Sequence, residues 1–303
     1  MAKPVMPENL TGALPAGAAA CALLDAKIDE VASFAHSAMS GDVDGLHDMR
    51  VAVKRLREVL RLFRRLYSKK RLTRILPAVE ELNNGLGRVR DLDVMAINIA
   101  WVAEQSPEAS GLVEILQGVW AEQRSQAHSE VVQLWDRLLG RDHVIQRLRR
   151  VARSARARKK RLNRLPFESF GYMAIAARAR RARQRISEAG IGDDPARMHL
   201  ARIAVKRLKY TMEPFQLVLP ALAGAYKVVS DAQEAVGLAH DFDVLATEMS
   251  DYFEERGLMQ TTSAQRAVAT VNDRRAALYV AGRQALERLS DDGWHRQLLD
   301  ALD

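Results

Sequence analysis

The sequence predicts an all-α protein made of two similar four-helix bundles, built from long antiparallel helices and related by an internal duplication. Two observations support this fold class. Alanine, leucine, arginine and glutamate are abundant, and apolar residues recur at three- and four-residue steps, which is typical of amphipathic helices. Two sequence motifs also occur twice, in the same order and at nearly the same spacing, as expected for two copies of one helical unit.

The individual helices are predicted from apolar periodicity and from the turn-forming residues between them. Interruptions fall at Ser40-Gly41, Ser106-Pro107, Gly140, Leu165-Pro166 and residues 190–195. Pro214 lies within the helix that carries a second motif copy, and we expect it to kink or end that helix near Glu213. The predicted helices are 17–39, 46–67, 71–105, 108–139, 142–162, 167–189, 196–213, 216–257, 262–288 and 294–302.

The predicted helices suggest a simple domain organisation. Residues 1–16 contain three prolines and are expected to form a flexible N-terminal tail. A first helical bundle over 17–140, a basic connecting helix over 141–165 and a second bundle over 166–303 follow. The lone cysteine, Cys21, fits a reducing compartment. No run of about 18 apolar residues predicts a membrane span, so we expect a cytoplasmic protein.

Positive charge is concentrated in parts of the chain. The whole sequence has 46 Lys+Arg and 38 Asp+Glu, for a net charge of +8. Residues 141–185 hold 16 basic and 2 acidic residues, and residues 47–74 hold 11 and 2. Concentrated positive charge attracts polyanions. Nucleic acid, a membrane surface and a phosphate polymer are all compatible with this charge distribution alone.

The first repeated motif places a column of cations on one face of a helix. The two copies lie 152 residues apart, at His47, Arg50, Lys54 and Arg57 and at His199, Arg202, Lys206 and Lys209. At 100° per residue, the first column, which continues to Arg61, occupies an arc of about 80° and spans about 21 Å. A separate apolar stripe faces the core. Because like charges at this spacing repel, two matched columns favour an anion site over a solvated face, and a mixture of Arg, Lys and His suits repeated phosphates.

The second repeated motif is an Asp-x-Asp sequence preceded by a cation, "LGRVRDLDVM" and "VGLAHDFDVL". Its basic positions are Arg88 and Arg90 in the first copy and His240 in the second. Its acidic positions are Asp91, Asp93, Asp241 and Asp243. We interpret the aspartates as structural partners that pair with arginines and hold the column side chains in place. Metal ligation and catalysis are the alternative interpretations.

The motifs together resemble the signature of the CHAD family, the conserved histidine α-helical domain. "HDMRVAVKRLREVLRLF" with "LGRVRDLDV" is similar to the family motif, and "HLARIAVKRLKY" with "VGLAHDFDV" is similar to its internal repeat. The resemblance extends over about residues 17–303. It implies two four-helix bundles related by pseudo-twofold symmetry, and a non-enzymatic protein that binds inorganic polyphosphate in a basic groove or pore and associates with polyphosphate granules.

The resemblance also assigns residue roles. The family's histidines correspond to His47 and His199, and its basic partners correspond to Arg50, Lys54, Arg57, Arg202, Lys206 and Lys209. With Arg61, Arg88, Arg90 and His240, these residues form the predicted polyphosphate site. Inorganic polyphosphate, with or without bound divalent cations, is the expected partner, and no membrane contact, cofactor, catalytic residue or metal site is predicted.

Two other functions are compatible with the same residues. A polyphosphate- or nucleotide-processing phosphohydrolase would use the aspartates as catalytic or metal-binding groups, but the sequence has no phosphate-cradling glycine loop and no zinc spacing. A nucleic-acid-binding helical protein is disfavoured because few aromatic residues lie near the columns. The basic region 147–185 either extends the anion surface or is a solvated connector. The E-x-E-x-K strand of the triphosphate tunnel domain to which family members are often fused is not found here, so no activity of that domain is expected.

Overall fold

The computed structural model describes residues 4–190 and 195–302, and over those residues it consists of α-helices without any named strand. This confirms the predicted all-α class. No helix in these ranges is both long and apolar enough to cross a bilayer. The helices are α1 (Ala16–Met39), α2 (Val43–Leu62), α3 (Lys69–Gln105), α4 (Ser110–Gly140), α5 (Val144–Ala157), α6 (Arg161–Arg164), α7 (Phe167–Ala189), α8 (Pro195–Met212), α9 (Leu222–Glu255), α10 (Thr262–Ser290) and α11 (Asp292–Asp300).

Several helix ends differ from the predicted ones for local reasons. As Pro214 predicted, α8 ends at Met212 and a single 3₁₀ turn, Glu213–Phe215, follows. The basic connector, predicted as one helix, is divided into α5 and α6 because residues 158–160 leave the helical conformation. Of the predicted interruption at 190–195, residues 191–194 lie outside the described part of the chain.

The amphipathic pattern of α2 is the pattern that its sequence predicts. Asp42 caps the helix, and its side chain accepts a hydrogen bond of 2.7 Å from the Gly45 backbone N–H, which satisfies one otherwise unpaired donor. The helix ends at Leu62 instead of Tyr67. The apolar stripe is buried throughout, at Met49, Val53, Leu56, Leu60, Phe63 and Tyr67. The adjacent face, which carries the cations, is therefore fixed relative to the core.

The helices pack mainly with their neighbours in sequence. Helix α2 packs between α1 and α3, α3 packs against α4, and α5 packs on α1 and α3. In the second half, α7 packs against α8 and α10, and α9 packs against α8 and α10. The halves touch where α2 meets α8 and where α3 meets α9 and α10. The two helices that carry the histidine motifs are thus neighbours.

An aromatic cluster holds the end of α2 against the second half. The ring of Phe63 lies 5.2 Å from that of Phe170, and Phe167 stacks on Phe215 at 4.5 Å between centroids. The backbone of Gly171 approaches this cluster so closely that a Cβ there would lie 2.6 Å from the Phe215 ring. The stacked rings therefore fix the distance between α2 and the turn that follows α8.

The segment before α1 makes defined contacts with the folded body. The Val5 carbonyl accepts a hydrogen bond of 2.7 Å from the ammonium of Lys27, and the Leu14 carbonyl accepts one of 2.8 Å from the Phe167 backbone N–H. Residues 1–3 lie outside the described residues. The flexible tail expected over 1–16 is thus tied to α1 and α7 along most of its described length, because its backbone pairs with those helices.

A buried ionic network connects α1, α2 and the turn after α8. Arg55 donates to Glu30 at 2.8 Å and to Glu213 at 2.9 Å, and Lys27 donates to Glu30 at 2.6 Å. All four side chains are buried. Burial raises the pKa of Glu213, and the nearby Arg55 charge opposes that rise. The network thus joins two helices of the first half to the turn after α8 in the second half.

Candidate functional site

The two cation columns face each other across a cavity of about 250 Å³. Helices α2 and α8 supply one cation column each, and the Asp-x-Asp motifs of α3 and α9 complete the lining. The fold therefore brings both copies of both motifs to one place. The polar side chains that line this cavity are His47, Arg50, Lys54, Arg90, Asp91, Arg202, Gln233, His240 and Asp241.

The central cavity continues into two neighbouring ones. A wider cleft of about 740 Å³ shares Arg50 and Lys54 with it, and Arg88 lies in that cleft, exposed and paired with Glu130 at 3.1 Å. A smaller pocket of about 140 Å³ on the other side includes His199. That pocket shares its lining residues Arg202 and His240 with the central cavity. We call the three connected cavities the trough.

Two cations of the trough and one beside it have no partner in the described chain. Within residues 4–190 and 195–302, Lys54, Arg202 and Lys206 make no hydrogen bond and no ion pair. Arg50 has one ion pair, with Asp91 at 2.8 Å, and its buried Nε atom has no acceptor. Half-buried cations without partners are costly, so the trough carries an excess of positive charge suited to an anion.

Burial and repulsion lower the pKa values of the two facing lysines. Burial, with the charges of Arg50 and Lys206, lowers the pKa of Lys54 to about 7. Burial, with the charges of Arg202 and Arg57, lowers the pKa of Lys206 to about 8. The effects cross from one half to the other, since Lys206 and Arg202 act on Lys54 and Arg57 and Arg50 act on Lys206. An incoming anion would reverse them by favouring the charged lysines.

Two histidines of the trough, His47 and His240, have lowered pKa values. Burial, followed by the charges of Arg202 and His199, lowers the pKa of His240 to about 4, and burial and Arg90 lower the pKa of His47. The His199 and His240 rings lie 5.8 Å apart between centroids. Neutral imidazoles can donate hydrogen bonds to phosphate oxygens without adding charge.

The second aspartate of each Asp-x-Asp motif is bound by an arginine from the next helix. Arg124 of α4 donates to Asp93 at 2.5 Å, and Arg275 of α10 donates to Asp243 at 2.7 Å. Tyr279 also donates to Asp243 at 2.7 Å. These contacts have the same form in the two halves. The aspartates' role in positioning the cation columns stays a prediction.

The first aspartates of the motifs lie in the central cavity itself. Asp91 binds Arg50, whereas Asp241 is close to Arg202. Burial raises the pKa of Asp241, and the Arg202 charge opposes the rise. Among the described residues, no group of three or more His, Cys, Asp or Glu side chains is arranged to hold a metal ion.

Four predicted site residues are not among the lining residues of the three cavities: Arg57, Arg61, Lys206 and Lys209. Arg57 and Arg61 both bind Glu80 of α3, at 3.0 and 2.8 Å, and Arg61 also binds Glu58 at 2.9 Å. Lys209 donates to Gln233 of α9, a lining residue of the central cavity, at 2.8 Å. The far end of the first column is thus neutralised by carboxylates, whereas Lys54, Arg202 and Lys206 have no ion pair among the described residues.

The trough also contains polar residues that the motifs did not identify. Gln233 lies 150 residues after Asn83, the same offset as the Asp-x-Asp copies, and both line the trough. Extending the repeat alignment by a few residues would have found this pair. Gln123 and Gln126 come from α4, which carries neither motif, so no sequence signal pointed to them.

The fold and the trough together define a class of protein, an all-helical protein with a basic trough at the contact of its two halves. The chain belongs to the CHAD domain family, whose model matches residues 22–250, and this confirms the resemblance seen in the sequence. No curated protein matches the chain by sequence.

Two solved structures share the fold. The crystal structure of the CHAD domain from the plant Ricinus communis superposes with a TM-score of 0.74 at 20% identity, covering 95% of this chain and 97% of that one. PptA from Streptomyces chartreusis superposes with a TM-score of 0.62 at 16% identity, covering 90% of this chain and 99% of that one. At these identities the likeness concerns the fold alone.

Proposed function

We propose that this protein binds inorganic polyphosphate in the trough, without enzymatic activity, and that it associates with polyphosphate granules in the cytoplasm. The observation that carries the proposal is the cluster of unpaired, half-buried cations Lys54, Arg202 and Lys206. A linear phosphate polymer offers negative charges at short, regular intervals. It can therefore satisfy cations from both columns at once, through charge-assisted hydrogen bonds.

A binding role is supported by how the acidic residues are used. Asp93 and Asp243 are each engaged by an arginine, so they have little freedom to act as general bases. Tyr279 is the one Phe, Tyr or Trp side chain among the described lining residues of the trough, and it is hydrogen-bonded to Asp243. A protein that reads single-stranded nucleic acid needs exposed aromatic rings on which bases stack. The trough is therefore better suited to a polymer of phosphate alone.

We further propose that the two halves arose by duplication of one four-helix unit. The order of packing supports this, because α1 to α4 and α7 to α10 make corresponding contacts. The ion pair Arg124–Asp93 in the first half has its counterpart in Arg275–Asp243 in the second. A polymer lying between α2 and α8 would then meet two related sets of cations.

Affinity is expected to increase with polyphosphate chain length and to decrease steeply with salt, because each neutralised phosphate releases counterions. Isothermal titration with orthophosphate, tripolyphosphate and longer chains, each at several salt concentrations, measures both trends. Duplex DNA serves as a competitor that carries phosphates in a different geometry. Equal affinity for orthophosphate and for long chains, or displacement of the long chain by equimolar duplex, would contradict the proposal.

The depressed lysine pKa values predict opposite effects of pH on stability and on binding. Between pH 7 and 9 the folded, anion-free protein loses protons from Lys54 and Lys206, whereas the unfolded chain keeps them up to its ordinary pKa of 10.5. The unfolded state then binds more protons, so stability rises with pH. Affinity for polyphosphate falls over the same range, by more than about 100-fold, because binding requires both lysines in their charged form.

Thermal unfolding with and without polyphosphate, from pH 6.5 to 9.5, measures both trends. Lys54→Met should reduce the pH dependence of both the melting temperature and the polyphosphate affinity, because it removes one of the titrating groups. If neither the stability nor the affinity of the wild-type protein changed between pH 6.5 and 9.5, the two lysines would have ordinary pKa values. The trough would then not be an uncompensated cation cluster.

A further inference from the structure

A second cluster of arginines lies in a groove between α7 and α8. The groove encloses about 90 Å³ over an apolar floor that includes Leu200 and Ile203. At 100° per residue, this face of α8 is turned by about 120° from the face that carries the trough cations. The groove is therefore a separate surface. Its charged lining consists of Arg178, Arg181, Arg185 and Arg207.

The positive charge of the groove is only partly neutralised. Arg185 binds Glu188, and Arg181 donates to a neighbouring glutamine on the same helix. Within the described chain, Arg178 and Arg207 make no hydrogen bond and no ion pair. Two guanidinium groups thus converge on one small cavity with their donors available, and each can bind two oxygens of a phosphate group.

The surroundings of Arg178 add further positive charge. Its side chain is half-buried, and burial followed by the charge of Arg207 lowers its pKa. Arg64 and Arg61, from the end of α2, act in the same direction. Glu58 is the acid that opposes them, and it is already bound to Arg61. The protein itself therefore leaves this groove with an excess of cations, as it does the trough.

We propose that the α7–α8 groove is a second phosphate-binding subsite, which holds the part of a long polyphosphate chain that extends beyond the trough. The inference rests on the proposed function. Lys206 and Arg207 are adjacent on α8. The charges of the trough residues Arg202 and Arg50 act on Lys206, and Arg207 lines the groove, so a chain that leaves the trough past Lys206 reaches the groove. The row from Arg178 to Arg185 extends the basic surface by about 10 Å at 1.5 Å per residue.

The test compares chain lengths in a groove variant, Arg178→Gln with Arg207→Gln. Affinity for long-chain polyphosphate should fall about tenfold, and the slope of log K against log salt should become shallower by about one to two. Affinity for tripolyphosphate, which is held in the trough, should not change. The control, Arg180→Gln with Arg266→Gln, removes the same charge at exposed positions outside the groove and should leave both affinities near wild type.

The outcomes separate this inference from the proposed function. If the groove variant binds long chains as the wild type does, the inference is overturned. The proposed function would still be upheld if a trough variant lost binding. An equal loss in the control variant, or an equal loss for tripolyphosphate, also overturns it, since the groove would then act through net charge or as part of the trough. A wild-type protein that binds no polyphosphate overturns both.

Discussion

Replacing Arg50 and Arg202 by alanine together should lower the affinity for long-chain polyphosphate by at least about 100-fold. The two guanidinium groups face each other across the central cavity, one from each half. A hydrogen bond to a charged group contributes about 1.5–3 kcal/mol, and each of these arginines can make two such bonds to phosphate oxygens. Fluorescence anisotropy with a labelled long chain measures the loss.

The double variant should remain folded, which makes its binding defect interpretable. Arg202 makes no hydrogen bond or ion pair among the described residues, although its charge is near Asp241, and Arg50 leaves Asp91, a carboxylate that is 58% exposed. The matched control is Arg137→Ala with Arg183→Ala, which removes two exposed arginines outside the trough. A folded Arg50/Arg202 variant with wild-type affinity would exclude the trough as the principal site.

Replacing Arg55 by methionine should destabilise the protein by about 3–5 kcal/mol, the cost of removing one partner from a buried ionic network. The change leaves Glu30 and Glu213 close together and without their shared guanidinium, although Lys27 still binds Glu30. Methionine keeps most of the side-chain volume, so the effect is electrostatic and not one of packing. Urea denaturation at pH 7 followed by circular dichroism measures the change.

The exposed pair Lys227–Asp231 provides the control for Arg55. Its side chains are 76% and 54% exposed, so Lys227→Ala should change stability by less than about 0.5 kcal/mol. A comparably small effect of Arg55→Met would mean that water reaches Glu30 and Glu213, and that the network does not hold the halves together. Polyphosphate binding by any folded Arg55→Met protein should persist, because Arg55 is not part of the trough.

Much of the fold could be predicted because it depends on local periodicity. The apolar stripe of α2, from Met49 to Tyr67, fixes which face is buried, and that alone places the cation column on the neighbouring face. The end of α8 could be predicted from Pro214, which lacks an N–H and clashes with a continuing helix. The division of the connector into α5 and α6 has no comparably strong local signal in the sequence.

The composition of the site was harder to predict because it depends on which helices meet. Arg57 and Arg61 are in phase with Arg50 and Lys54, yet both bind Glu80, which comes from α3. Phase on a single helix cannot show that an acid from another helix neutralises part of the column. The same limit applies to Arg55, whose partners come from α1 and from the turn after α8.

The two halves of the trough differ at the residue that precedes the first aspartate, where the first half has Arg90 and the second has His240. Near pH 7 the arginine is charged and the histidine, with its pKa of about 4, is not. A linear polyphosphate is identical when reversed, so this difference cannot select the direction in which the polymer lies. It instead affects which half is occupied. A fragment too short to span both halves would bind preferentially beside Arg90. A dissociating chain would leave the second half before the first.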